Sequence, residues 1–245
     1  PLRLGGSVMS IRDMFFMSVC SGYPAGSRIL SEYHDGGLIS KSETKKLAPL
    51  CSTCGPLFAL GTVGAKAFGG NGAGVKLLCA ALISVISSSL IYCLISKKRE
   101  DGDMLKVLKP NGGDVLYSAF YGGVIASLVA GGFICFFYTL SKVLADFNIF
   151  MPLELALAPL LGKEIAGGLC TGLCEATGGC FALARSGGFF ALPLAGFLIT
   201  FGGASIIAQQ MCYLGKCGVK AWYFIAFKLL QGAICFALLC LFSLW

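Results

Sequence analysis

Polar side chains able to do chemistry are few in this sequence, and they gather where the chain cannot run as regular helix. Glu175 sits in the middle of Ile165 to Ala184, an apolar stretch with five glycines, and is followed by Ala176-Thr177-Gly178-Gly179. A carboxylate there can bind a coupling proton or cation, or accept a hydrogen bond from a solute. As a structural group it can instead cap a half-helix beside Thr177. Ser52 and Thr53 lie within Cys51-Ser52-Thr53-Cys54-Gly55-Pro56, while Ser205 and Gln209 follow Phe201-Gly202-Gly203-Ala204. Their hydroxyl and amide groups can orient a polar solute, or simply hold helices together in lipid. Lys228 is the one charge in Ala221 to Trp245, either a counter-charge for an anion or a side chain that snorkels to the nearby helix end. The C-x-x-C spacing of Cys51 and Cys54 also fits a thiol–disulfide enzyme, against which no second cysteine pair stands in an exposed loop. An enzymatic role is not expected.

The elements that carry these groups belong to a membrane protein. Hydrophobic residues make up 56% of the chain and charged ones 13%, against about 25% charged in ordinary soluble proteins. Leu77 to Ile95, Val115 to Leu140, Gly188 to Leu214 and Ala221 to Trp245 are each long enough to cross a hydrocarbon core of about 30 Å. Four crossings are therefore predicted, with shorter apolar pieces between them. The net charge of +7 comes from basic residues at the ends of apolar runs, which argues against a nucleic-acid surface. Lys97, Lys98, Arg99, Lys106 and Lys109 crowd one loop, and the positive-inside rule places that loop in the cytoplasm. The 13 cysteines lie mostly inside apolar runs and read as small packing residues rather than a disulfide framework. The chain starts at Pro1 with no charged segment and apolar stretch resembling a signal, so it reads as lacking its true N-terminus.

Two breaks organise the first half. Met14 to Cys20 is too short to cross and runs straight into Gly22-Tyr23-Pro24-Ala25-Gly26, where Pro24 disfavours helix at Tyr23 and the glycines permit a turn. This predicts a re-entrant hairpin returning through Ser27 to Tyr33, with Tyr23 and Pro24 shaping its tip and His34 in an exposed loop. Ser40 and Glu43 have capping-box spacing for a short helix with Lys41, Lys45 and Lys46 on the cytoplasmic face. The chain then enters the membrane at Leu47 and breaks at Gly55 and Pro56. In the second half an unpaired carboxylate would cost a simple lipid-facing span about 3 kcal/mol, so Ile165 to Ala184 is better read as a second hairpin with Glu175 at its tip. A broken crossing follows, unwound at Gly202 and Gly203.

Hairpin tip, helix break and spanning-helix centre fall near residues 24, 54 and 86, and again near 177, 203 and 233. The spacings agree to within a few residues. With Val115 to Leu140 reversing direction between them, residues 1–110 and 111–245 form the two halves of an inverted repeat: hairpin, broken helix, spanning helix. The predicted fold is thus an all-α integral membrane protein. Such repeats are a pattern of secondary transporters, whose sites lie near the bilayer midplane where backbone is left unwound.

At Gly22-Tyr23-Pro24-Ala25-Gly26, Ser52-Thr53-Cys54-Gly55-Pro56-Leu57-Phe58, Gly172-Leu173-Cys174-Glu175-Ala176-Thr177-Gly178 and Phe201-Gly202-Gly203-Ala204-Ser205, the chain resembles the nucleoside-recognition (Gate) domain membrane proteins. Among them it is most similar to the sporulation integral membrane protein YlbJ group, whose members are longer at the N-terminus. The family pattern has Asn where this chain has Ser52, a shorter side chain that still donates a hydrogen bond. The resemblance implies a fold similar to concentrative nucleoside transporters, and movement of dipicolinic acid across a membrane around the developing spore. The expected function is transport of a small, polar, anionic aromatic solute. Expected solute-binding residues are Ser52, Thr53, Glu175, Thr177, Ser205, Gln209 and Lys228. Gly22, Tyr23, Pro24, Gly26, Gly55, Pro56, Gly202 and Gly203 are expected to shape the breaks. No cofactor is expected beyond a coupling proton or sodium ion. Expected partners are the solute, the lipid bilayer, and a second copy of the chain or other sporulation membrane proteins. Two alternatives stay open: a nucleoside-type transporter, and a non-transporting membrane protein acting in spore assembly. The expected location is the bacterial cell membrane, extending to a membrane surrounding the forespore.

Overall fold

The structure, a computed structural model, describes residues 2–4, 7–9, 11–70, 72–95 and 115–244. The basic loop with Lys97, Lys98, Arg99, Lys106 and Lys109 lies outside the described residues, as does the predicted turn at 111–114. A short antiparallel pair, Leu2–Leu4 with Ser7–Met9, precedes a body made of helices.

The first hairpin consists of α1 (Ile11–Ser21) and α2 (Ala25–Asp35), packed together and joined at Gly22 to Pro24. His34 departs from expectation. It occupies the last turn of α2 rather than a loop, and it is half-buried, because the helix continues until Gly36. Next comes α3 (Lys41–Leu47), whose capping box is complete: Glu43 N–H donates to Ser40 Oγ at 3.2 Å, and Ser40 N–H donates to the Glu43 carboxylate at 2.8 Å. Such a cap is worth about 1 kcal/mol. The chain is unwound from Ser52 to Gly55 and then forms a π-helical segment, Leu57–Ala67, with the wide i→i+5 winding still visible where Phe68 N–H reaches Val63 O at 3.0 Å. After a glycine turn, α4 spans Ala73–Ile95 and α5 spans Val115–Asp146.

The second half opens with α6 (Met151–Leu161), an apolar helix too short to cross. The second hairpin is α7 (Lys163–Cys174) and α8 (Ala176–Ser186), parted by Glu175 alone in extended conformation. Helix α9 (Ala191–Phe201) meets α10 (Gly203–Leu214) at Gly202 and Gly203, whose φ values of +98° and +58° few side-chain-bearing residues adopt. The chain continues into α11 (Ala221–Ser243).

Among the described residues, four stretches are long and apolar enough to cross a membrane: Ala73–Ile91, Phe120–Asp146, Ala191–Leu214 and Ala221–Ser243. The first, third and fourth belong to the packed body, α11 lying against both α9 and α4, whereas α5 is largely exposed and faces lipid. Buried apolar side chains form two clusters. One includes Leu77, Leu183, Leu198 and Leu239; the other gathers Leu30, Ile39, Leu214 and Phe224 under the first hairpin. The second limb of each hairpin packs against the helical segment that follows the break of the other half: α2 against α10, and α8 against the π-helical segment. Every cysteine whose side chain is described is free.

Candidate functional site

Each hairpin tip is held against the break of its own half by backbone-to-backbone contact through glycine. Gly22 has φ +70°, and a Cβ there would come within 2.7 Å of Gly55 N. A Cβ on Gly26 would run into the Cys51 carbonyl and the Ser18 hydroxyl. In the second half, a Cβ on Gly203 would meet Gly172 O at 2.7 Å. Small residues are needed at these places because main chain approaches main chain closely. Pro56 ends the unwound stretch and starts the π-helical segment, and the Tyr23–Pro24 peptide is cis.

Between the tips lies a cavity of about 380 Å³ that draws on both halves: Gly22, Tyr23 and Gly55 from the first, Glu175, Thr177 and Gln209 from the second. A second cavity of about 500 Å³ lies beyond Glu175 and Thr177, which line both. Its rim carries exposed Lys142 and Arg185, with half-buried Glu154 and exposed Tyr138 in the wall.

Glu175 is only 2% exposed and acts as the N-cap of α8. Its two carboxylate oxygens accept from Thr177 N–H at 2.8 Å and Gly178 N–H at 2.6 Å. The negative charge thus sits on the positive pole of the helix, where such pairs are favourable. Gln209 donates to Ser205 Oγ at 3.3 Å, and both are buried.

Ser52, Thr53 and Lys228 stand behind the cavity rather than in its wall. Thr53 Oγ1 is 3.2 Å from Ser18 Oγ, which itself donates to Cys51 O at 2.6 Å. Lys228 does not snorkel. It is fully buried, donates to Ser52 O at 3.0 Å and Tyr23 OH at 3.4 Å, and lies over the Tyr23 ring at 5.2 Å. Those acceptors hold the ammonium inside, since a buried charge without partners would be far costlier. Tyr23 OH donates onward to Ile199 O at 3.0 Å. Ser52 Oγ is buried with no hydrogen-bond partner among the described residues. Pro24 lines a separate groove with Arg28 and Glu32.

The sequence reading missed Ser18, the role of Tyr23 as a partner of Lys228, and the second cavity. Glu154 was also missed, although as a lone carboxylate in the apolar run Met151–Leu161 it could have been found by the logic that singled out Glu175. Ser18 and Tyr23 carried no signal separable from packing.

The chain is similar to the sporulation integral membrane protein YlbJ of Bacillus subtilis (strain 168), 24% identical over 257 aligned positions. The alignment covers 94% of this chain and 61% of that protein, so the chain spans about three-fifths of the relative's length. No protein-family model matches the chain, and no solved structure matches it. Together with the four apolar helices, the similarity makes this a multi-pass integral protein of the cell membrane.

Proposed function

We propose that the chain is the solute-moving part of a transporter, not an enzyme, and that its solute is small, anionic and aromatic. The observation that carries this reading is the position of Glu175 in the wall shared by two cavities, one of them lined by both hairpin tips. The reciprocal packing of α2 on α10 and α8 on the π-helical segment supports an inverted repeat. Cys51 and Cys54 are buried, which removes them from exchange with an outside thiol.

The mechanism follows from what Glu175 holds. Its carboxylate occupies the two N–H donors at the start of α8, the same donors a solute carboxylate would use. A proton taken up by Glu175 weakens both bonds and frees the donors for an entering anion. Proton and anion then load together. Buried Lys228 supplies positive potential from behind the cavity. Dipicolinate, the solute implied by the family resemblance, has the right chemistry: two carboxylates on an aromatic ring. A role in a membrane around the forespore rests on the same resemblance.

Uptake of radiolabelled dipicolinate into proteoliposomes, with and without an inward proton gradient, tests the reading. Gradient-stimulated uptake is expected, with no competition from uridine. Folded protein that takes up no dipicolinate under any gradient overturns it. Competition by uridine shifts the assignment to a nucleoside-type solute.

A further inference from the structure

Away from the hairpin tips, three side chains of metal-binding type meet where α2 and α10 end. His34 and Asp35 form the last turn of α2, and Cys217 lies in the turn after α10. One ligand atom from each, imidazole nitrogen, carboxylate oxygen and thiol sulfur, lies within 4.8 Å of the other two. His34 is the chain's single histidine. We propose that His34, Asp35 and Cys217 bind a divalent transition-metal ion of the zinc class, an assignment independent of the transport reading.

Four observations carry this. The Nδ1 atom of His34 is buried yet makes no hydrogen bond among the described residues, so its lone pair or proton is unused. Its contact with Asp35 Oδ1 is 3.6 Å, too long for one. Cys217 is 1% exposed, and its sulfur has only weak contacts, 3.4 Å to Ser31 Oγ and 3.6 Å to Tyr213 O. Both helices present their negative poles here, and a cation is favoured at that end of a helix.

The ligand chemistry also balances. Thiolate, carboxylate and neutral imidazole bring two negative charges to a dication, leaving the site neutral. This is a mixed sulfur, nitrogen and oxygen set of the kind zinc takes, with bonds of about 2.0 to 2.3 Å. The ligand atoms need to close by about 1 Å to meet those lengths. Asp35 can move, since its side chain is 65% exposed. Water can complete the fourth position from that open side. Bound metal would clip the end of the first hairpin to the turn leading into α11.

Cobalt(II) is the probe, added to the purified chain in detergent. One equivalent should give the intense thiolate-to-cobalt absorption, and zinc should abolish it. Cys217→Ser, His34→Gln and Asp35→Asn should each weaken cobalt binding at least tenfold while leaving the metal-free melting temperature near that of the parent. Should Cys217→Ser misfold, the half-buried His34 and exposed Asp35 variants still decide the matter. Unchanged cobalt binding in His34→Gln and Asp35→Asn, or binding that vanishes only when other cysteines are replaced, overturns the site. So does a parent chain that takes up no cobalt.

Discussion

The Nζ of Lys228 lies 3.0 Å from the carbonyl oxygen of Ser52, so a spanning helix of the second half is tied to the unwound backbone of the first. The same ammonium donates to Tyr23 OH, which in turn donates to Ile199 O at the end of α9. One cation thus joins hairpin tip, first break and second broken helix. Lys228→Met keeps the length of the side chain and removes the charge. The hydrogen bonds of Lys228 go to Ser52 O and Tyr23 OH, so it acts on a solute only through its field, and an anionic solute should bind several-fold more weakly without it. Isothermal titration against the parent protein checks this, and equal affinity excludes Lys228 as a counter-charge.

Glycine contacts between main chains should matter more than glycine flexibility. Gly22 and Gly37 have nearly the same φ, +70° and +67°, but a Cβ on Gly22 strikes Gly55 whereas one on Gly37 meets nothing within 4 Å. Both alanine variants bear backbone strain of about 1 to 3 kcal/mol. Only Gly22→Ala also pushes the hairpin tip off the break. Its melting temperature in detergent should fall several degrees further than that of Gly37→Ala, and equal losses would mean the tip contact is loose.

The breaks were legible because each is written in residues whose backbone chemistry is local. Gly202-Gly203 must interrupt a helix when both adopt positive φ, and Ser40 with Glu43 announces a helix start through two specific hydrogen bonds. Glu175 stood out because a bare carboxylate in an apolar run demands a partner, and the partner proved to be the N-terminus of α8. The burial of Lys228 was not legible, since its acceptors come from Tyr23 and Ser52, far away in the chain. Nor was the π winding of Leu57–Ala67 visible in its sequence. There a Cβ on Gly64 would strike Gly74, a contact that depends on how the segment meets α4. His34 was misplaced for a related reason: Gly36 and Gly37 marked the helix end, but the turn they permit begins only after Asp35.

Charges at the rim of the larger cavity should set the rate of solute entry rather than its final affinity. Lys142 and Arg185 are exposed there, where steering of an anion is strongest at low ionic strength and is screened within about 10 Å at 0.1 M salt. Arg185→Glu and Lys142→Glu should slow initial uptake several-fold at low salt, with the difference shrinking as salt is raised. A salt-independent defect would point to damaged packing instead.

Lys41 packs against Gly218, so the capped segment from 40 to 46 and the turn before α11 lie on one face of the protein. The positive-inside rule puts that face, and the 97–109 loop, in the cytoplasm. Cysteines introduced by Lys45→Cys and Lys106→Cys should therefore react with an impermeant maleimide from the same side of oriented vesicles. Labelling from opposite sides would reject the proposed topology.

Glu175 has two separable roles, cap and coupling group. As a cap it neutralises the pole of α8 through two backbone N–H bonds, so Glu175→Ala should cost about 1 to 2 kcal/mol of stability whether or not the protein transports anything. Glu175→Gln is the more informative change. Its carbonyl oxygen can keep one of the bonds, but its amide group presents a donor to the other N–H, so the variant should fold with a modest loss and resemble the proton-loaded state. If proton uptake frees the α8 donors for an anion, this variant should bind dipicolinate at least as well at neutral pH as the parent does at acid pH. Its uptake should no longer respond to a proton gradient. Binding measured from pH 5 to 8, with uptake in parallel, checks both halves. A folded Glu175→Gln protein that keeps the parent's pH dependence would leave Glu175 as a cap alone and move proton coupling elsewhere.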